Sequence, residues 1–216
     1  MAEKKNQNIN NKDGILLVIT GPSGVGKDTI IAEFLKKNPD FKKLVTDTSR
    51  SPREREIKGK DYNFFTCEEF LKRAEKGFYL EHVEVRPKEY KGTSREAIQE
   101  VFSGKHIIWK IDEYSGAHTK EIFQVTMPDL AEEMIARTIT IYISPEEWSQ
   151  LREQYFARES KANQEWFLVK LGRDKEMWNL YRDRFDHIVV NRRRKVSETV
   201  SELERIIKEK IEKIKK

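Results

Sequence analysis

The apolar run Gly14-Ile15-Leu16-Leu17-Val18-Ile19-Thr20 passes directly into Gly21-Pro22-Ser23-Gly24-Val25-Gly26-Lys27, and this junction constrains the fold more than any other feature of the chain. A short continuous run rich in branched residues reads as a strand buried on both faces, as in a parallel sheet. Beyond it, Ile30, Ile31, Phe34 and Leu35 recur at helical spacing, and Asn38-Pro39 closes that helix. The turn between them has the pattern G-x-x-x-x-G-K. Its glycines let several backbone N–H groups curl toward one anion, and the following helix N-terminus adds partial positive charge there. Lys27 can then reach the β- and γ-phosphates of a nucleotide. A glycine-rich turn with an incidental lysine is the plainer alternative, and the flanking strand and helix count against it. The pattern normally continues with Ser or Thr, whose hydroxyl binds Mg²⁺, but here Asp28 follows, then Thr29. A carboxylate is also a hard oxygen ligand. Gly21, Ser23, Gly24, Val25, Gly26, Lys27, Asp28 and Thr29 are therefore the candidate ATP-binding residues, with Asp28 a candidate Mg²⁺ ligand.

Strand and helix patterns alternate through the rest of the chain. Thr66 and Glu69 read as a capping box before a helix carrying Phe70, Leu71 and Ala74 that stops at Gly77. Tyr79 to Val85 reads as a strand. Thr93 and Glu96 read as the cap of a helix through Ile98, Val101 and Phe102, closed by Gly104. His106 to Ile111 is a second buried-strand pattern, and it ends at Asp112, where α/β sheets present ligand groups. Thr138 to Ile143 is a further strand. Ser144, Pro145 and Glu147 then predict a helix start, followed by Trp148, Leu151 and Tyr155. A long amphipathic helix is expected from about Gln164 to Arg184, and Ile188 to Val190 form the last strand. The final helix places Val200, Leu203, Ile206, Ile207, Ile211 and Ile214 on one face. This alternation predicts an α/β three-layer fold with a mostly parallel sheet.

Composition narrows the possible partners. The 42 basic residues are set against 37 acidic ones, so the net charge is only +5. That balance disfavours a dedicated nucleic-acid binder and suits a local basic pocket for a small polyanion. Arg192-Arg193-Arg194-Lys195 keeps a nucleic-acid reading in play, against a solvated turn or a contact to the adenine side of ATP. A single cysteine, Cys67, excludes an internal disulfide or a cysteine metal cluster and fits a reducing cytoplasm. No apolar run approaches the roughly 20 residues that span a bilayer, and residues 1–12 read as a polar, disordered tail.

The acceptor comes from Thr46-Asp47-Thr48-Ser49-Arg50-Ser51-Pro52-Arg53, with Arg55, Glu56 and then Gly59-Lys60-Asp61-Tyr62-Asn63-Phe64. Two arginines three apart, held by a proline in extended chain, can fork onto one phosphate, and Tyr62 can add a hydroxyl donor. A solvated charged loop is the alternative. In these segments the chain resembles guanylate kinases. That family carries T-[ST]-R-x-P-R-x-G-E, G-x-D-Y-x-F, G-x-[FY]-[LI]-E and Y-G-[ST] in order. Here Thr48 to Arg53, Gly59 to Phe64, Phe78-Tyr79-Leu80-Glu81 and Tyr90-Lys91-Gly92-Thr93 correspond, and Val189-Val190-Asn191 is similar to the family's last strand.

The resemblance implies a P-loop kinase fold in a single domain over residues 13–216, with a small β-rich monophosphate-binding insertion at about 46–95 and a helical lid at about 152–173. It implies phosphoryl transfer from ATP, with Mg²⁺, to a nucleoside monophosphate, GMP or dGMP first. Another nucleotide or phosphorylated metabolite as acceptor, or a non-catalytic guanylate-kinase-like binding module, is the alternative. By position, Arg50, Arg53, Tyr62 and Tyr90 would hold the acceptor phosphate, with Glu56 beside them, and Glu81 would read guanine. Thr46, Thr93 and Asp112 match supporting contacts, Asp112 being a second candidate for Mg²⁺. Asn191 falls on the ATP side. Lys27, Arg50, Arg158 and Arg173 are the candidate catalytic cations, Lys170 competing with Arg173 for its lid position. A cytoplasmic monomer or homodimer that binds neither nucleic acid nor membrane is expected. The chain departs from the family pattern at Arg55 (usually glycine), at Lys91 (inserted between Tyr and Gly), at Lys110 (commonly a carboxylate) and over Glu113 to Gly116.

Overall fold

The computed structural model describes residues 14–54, 56–156 and 161–214. Its central sheet is built from β1 (Leu16–Thr20), β2 (Phe41–Lys43), β7 (His106–Lys110), β8 (Thr138–Pro145) and β9 (His187–Asn191), in the order β2-β7-β1-β8-β9. All four pairings are parallel. The five residues of β1 are fully buried, as a middle strand covered on both faces requires. Because successive side chains alternate faces, Ile15, Leu17 and Ile19 pack on one side with α1 (Lys27–Lys37) and α9 (Val196–Ile214). Leu16 and Val18 pack on the other with Trp109, Phe123 and Met134. Two apolar layers thus sandwich one sheet, giving the expected three-layer α/β architecture.

A second, four-stranded sheet has the order β4-β3-β6-β5, from β3 (Asp47–Thr48), β4 (Asn63–Phe64), β5 (Tyr79–Arg86) and β6 (Glu89–Ser94). The buried Asp47 carboxylate ties it together. It accepts from Asn63 Nδ2 at 2.9 Å, from the Tyr79 hydroxyl at 3.0 Å and from Arg73 on α2 (Cys67–Glu75) at 3.1 Å. Three donors satisfy a charge that would be costly to bury alone. The Thr66–Glu69 capping box opens α2 as the sequence predicts, with both reciprocal bonds present.

Several local expectations are corrected. Ser94, not Thr93, caps α3 (Arg95–Gln99) by accepting from Ala97 N–H at 3.3 Å, and a 3₁₀ turn replaces the last part of that helix. Thr93 is held inside the strand instead, between Glu81 and Trp109. Ser144 and Pro145 continue β8 and start no helix; α7 (Trp148–Phe156) begins three residues later. The long helix α8 runs Lys161–Tyr181, and a 3₁₀ turn takes Arg182–Arg184. The sequence patterns do not predict the short helices α4 (Glu113–Ala117), α5 (Thr119–Thr126) and α6 (Ala131–Arg137). No helix among the described residues is long and apolar enough to cross a membrane.

Candidate active site

The phosphate loop joins β1 to α1 at the C-terminal edge of the sheet. Gly21 takes φ 137° and Gly26 takes φ 98°, in the left-handed region that favours glycine. A Cβ on Gly21 would lie 2.2 Å from the Ile143 carbonyl oxygen, so the loop also lies tight against β8. Asn191 Nδ2 donates to the Val25 carbonyl at 2.7 Å, and Thr199 donates to Asn191 Oδ1 at 3.0 Å. Asn191 therefore braces the loop from behind. With Gly24, Thr29, Gln150 and Arg192 to Arg194 it lines a hollow of about 170 Å³, which leaves the basic run beside the loop. A larger hollow of about 280 Å³, bounded by Thr119, Lys120 and Arg184, contains none of the predicted residues.

Lys27 Nζ donates to the carbonyls of Gly21 at 2.6 Å and Pro22 at 2.9 Å. Burial pushes its ammonium below the ordinary lysine pKa, and Lys110 adds to that, while Glu113, Asp174 and Asp28 oppose it. Two of these carboxylates were missed in the sequence. Asp174 of α8 is only 2% exposed. Its Oδ2 accepts the Ser23 N–H at 2.8 Å, as a phosphate oxygen would, and its Oδ1 accepts from Lys170 at 3.0 Å. The signal was a charge on the apolar stripe of Phe167 and Leu171, where only a partnered carboxylate can sit. Glu113 is buried with Oε1 unpartnered. Burial, then Asp174, raises its carboxyl well above the usual range.

In the segment predicted to hold the acceptor, Arg50 forms a two-pronged pair with Glu56, at 2.7 and 2.6 Å, and its guanidinium lies 5.2 Å from the Tyr62 ring centroid. Glu56 also accepts the Arg53 N–H at 2.9 Å; the Arg50 bonds, helped by that one, pull its carboxyl down to about 2. Glu56 thus orients Arg50. Arg53 is exposed, and Thr46 supplies its carbonyl to Asn63 N–H at 3.0 Å.

The inserted residue decides where Tyr90 goes. In the family pattern Tyr and Thr stand two apart, on one face of a strand. Here they stand three apart, so they face opposite ways. Tyr90 stacks on Phe70, centroids 5.6 Å apart, with its phenol beside Glu84. Lys91 takes the vacated face, with Nζ 3.3 Å from the Tyr62 hydroxyl. Tyr90 therefore lies on the face away from Tyr62, where Lys91 stands instead, an outcome that counting strand parity would have found. Burial opposes the change, but Lys91, Lys110 and Arg50 together pull the Tyr62 phenol below its ordinary pKa.

Glu81 lies across from Thr93 on the Lys91 face. Thr93 Oγ1 donates to Glu81 Oε1 at 2.6 Å, and Trp109 Nε1 donates to Thr93 Oγ1 at 3.0 Å. Burial, with nearby Asp112, pushes the Glu81 carboxyl up to about 7 despite the Thr93 bond. Asp112 caps α4 by accepting the Ser115 N–H at 3.0 Å, and Asp28 accepts from Lys110 at 2.6 Å. Among the described residues no three His, Cys, Asp or Glu side chains converge as metal ligands. Of the lid candidates, Arg158 lies outside the described residues, and Arg173 is exposed on α8 while Lys170 from the same helix reaches the loop through Asp174.

The guanylate kinase family model matches residues 14–210. The chain belongs to the guanylate kinase family. A guanylate kinase of Thermotoga maritima is 37% identical over 180 residues, covering 82% of this chain and 79% of the relative. That of Wolinella succinogenes is 33% identical over 186 residues, 86% of this chain and 80% of the relative. The crystal structure of guanylate kinase from Anaplasma phagocytophilum superposes with a TM-score of 0.66 at 25% identity, covering 91% of this chain and 86% of that one. Against this family background, Lys91 is a departure beside Tyr62, and Lys110 and Asp28 are departures paired with each other next to Lys27.

Proposed function

We infer that the chain transfers the γ-phosphoryl group of ATP to GMP, giving ADP and GDP. One observation supports this above the others. Consecutive residues of β7 touch the two halves of the site: Trp109 holds Thr93, which holds Glu81, and Lys110 holds Asp28 beside Lys27. Side chains alternate along a strand, so these contacts leave β7 on opposite faces at its end. What supports a shared opening is the charge of Lys110, which helps lower the pKa of both Lys27 and the Tyr62 phenol. The GMP phosphate is already ionised near neutral pH (second pKa about 6), so no general base is needed. The barrier is repulsion between two polyanions, and the protein's part is alignment and positive charge. Lys27 and the loop amides face the donor; Arg50, Tyr62 and Lys91 face the acceptor phosphate. Glu81 offers one carboxylate to the adjacent N1–H and 2-amino donors of guanine.

Mg²⁺ suits this donor set only as a passenger of ATP. Asp112 and the outward-facing Asp28 are hard oxygen donors, and Mg²⁺ is ordinarily held by one or two carboxylates together with substrate phosphates and water. When bound it neutralises charge on the transferring group.

The test is a panel of GMP, dGMP, AMP, CMP, UMP and dTMP with ATP and Mg²⁺. A guanine nucleotide should lead; comparable use of AMP would overturn the reading. In the same assay Arg50→Ala should raise the KM for GMP roughly tenfold or more, the usual scale for a lost charged hydrogen bond, with the KM for ATP little changed. Equal kinetics to wild type would remove Arg50 from the acceptor site.

A further inference from the structure

Lys110 stands where the family commonly places a carboxylate, and the structure shows what the replacement touches. It is the last residue of β7, level with Ile19 of β1 one residue short of that strand's end. Its Nζ is 2.6 Å from Asp28 Oδ1, and Asp28 is itself a departure, sitting where a hydroxyl usually follows the loop lysine. The lysine side chain is 24% exposed and the Asp28 side chain 73% exposed. The lysine is thus mostly enclosed at the C-terminal end of β7, while its partner leans into solvent and holds it weakly. Lys91 and Tyr62 lie toward the acceptor side, within hydrogen-bond reach of each other. Lys27 lies toward the donor side, one residue before Asp28.

We propose that Lys110 is a further catalytic residue: its ammonium, parked on Asp28, turns to the transferring phosphoryl group between the donor and acceptor phosphates. The proposal rests on the GMP kinase reading and deepens it. It reaches both sides: its Nζ bonds Asp28, the residue after Lys27, and its charge helps lower the pKa of the Tyr62 phenol. A carboxylate there would repel both substrates unless a metal ion intervened; an ammonium attracts them directly. The bond to Asp28 is the kind an arriving phosphate can replace, because a phosphate oxygen accepts the same proton with more charge. The transfer itself is unaltered: the bond from the γ-phosphorus to its bridging oxygen breaks, a GMP phosphate oxygen forms the new bond, and Lys110 keeps its proton throughout.

The experiment is a mutant cycle on the whole chain with two readouts. Lys110→Ala should lower kcat for GMP at least about tenfold, and Lys110→Arg, which keeps the cation, should recover most of it. The same loss should appear when Lys110→Ala is made in an Asp28→Ser background; if it vanishes there, Lys110 serves only as the partner of Asp28 and the proposal is overturned. By calorimetry without divalent metal, Lys110→Ala should weaken ATP binding about tenfold. Unchanged ATP affinity together with unchanged kcat also overturns it. A wild-type chain that fails to phosphorylate GMP yet loses metal-free ATP affinity on Lys110→Ala would refute the acceptor reading while leaving Lys110 at the donor phosphates.

Discussion

Lys27→Ala should lower kcat by about 10³-fold or more at saturating ATP and GMP, the scale expected when a positioned charge is removed from a transferring phosphoryl group. The ammonium is held by the carbonyls of Gly21 and Pro22 across its own loop. It is therefore already aimed when a triphosphate arrives. Its burial, which lowers its pKa, is the same desolvation that strengthens its pull on an anion. Losing it removes charge and also leaves two loop carbonyls without their donor. Lys27→Gln separates these effects, since its amide N–H can still donate to a carbonyl without the charge. Both variants should fall together in kcat, and Lys27→Arg should recover little, because the planar guanidinium does not fit a point-charge site. Melting temperatures near that of wild type would show that the fold is intact. A Lys27→Ala enzyme within tenfold of wild type would end the assignment of Lys27 to the transferring group.

The halves of this site were unequally legible in the sequence, for physical reasons. The strand, loop and helix from Leu16 to Lys37 follow from local patterns alone, because a doubly buried strand and an amphipathic helix each leave a periodicity. The capping box at Thr66 is equally local. Thr93 and Ser94 show the opposite case. Both residues suit a helix cap, and only the distant partners Glu81 and Trp109 draw Thr93 into the strand. The inserted Lys91 was visible as a departure, yet its consequence depends on the pairing of β6 with β5, which turns one extra residue into a change of face for Tyr90. Glu113 was missed because burial of a carboxylate is a property of packing, and for Asp174 the apolar stripe of Phe167 and Leu171 is a faint signal in a chain whose charged residues reach 37%. The short helices α4 to α6 carry five to eight residues each, too few turns for a period to stand out.

Glu81→Gln should lower kcat/KM for GMP by about 10²-fold or more, because a carboxylate accepts both guanine donors and an amide must turn its own N–H against one of them. Adenine carries a lone pair at N1, which an amide N–H can satisfy, so the ratio of GMP to AMP use should shift toward AMP. The pH profile gives a separate reading. Burial pushes the Glu81 carboxyl up to about 7, and only the ionised form accepts two hydrogen bonds. For wild type, kcat/KM for GMP should fall about tenfold per pH unit below about 7 and level off above it. Glu81→Gln should lose that dependence. Stability should move the other way. A carboxyl whose folded pKa is raised binds its proton more tightly in the folded state, so its contribution is full below about 4.5, fades as pH rises to about 7, and is absent above. At pH 8 the ionised Glu81 is therefore a cost, and Glu81→Gln should be more stable than wild type by about 2 kcal/mol, allowing for partial exposure of the group. A variant that loses GMP selectivity while gaining stability is what a strained base-reading carboxylate requires. If the ratio of GMP to AMP is unchanged, Glu81 does not read the base, and the second sheet selects its nucleotide by other contacts.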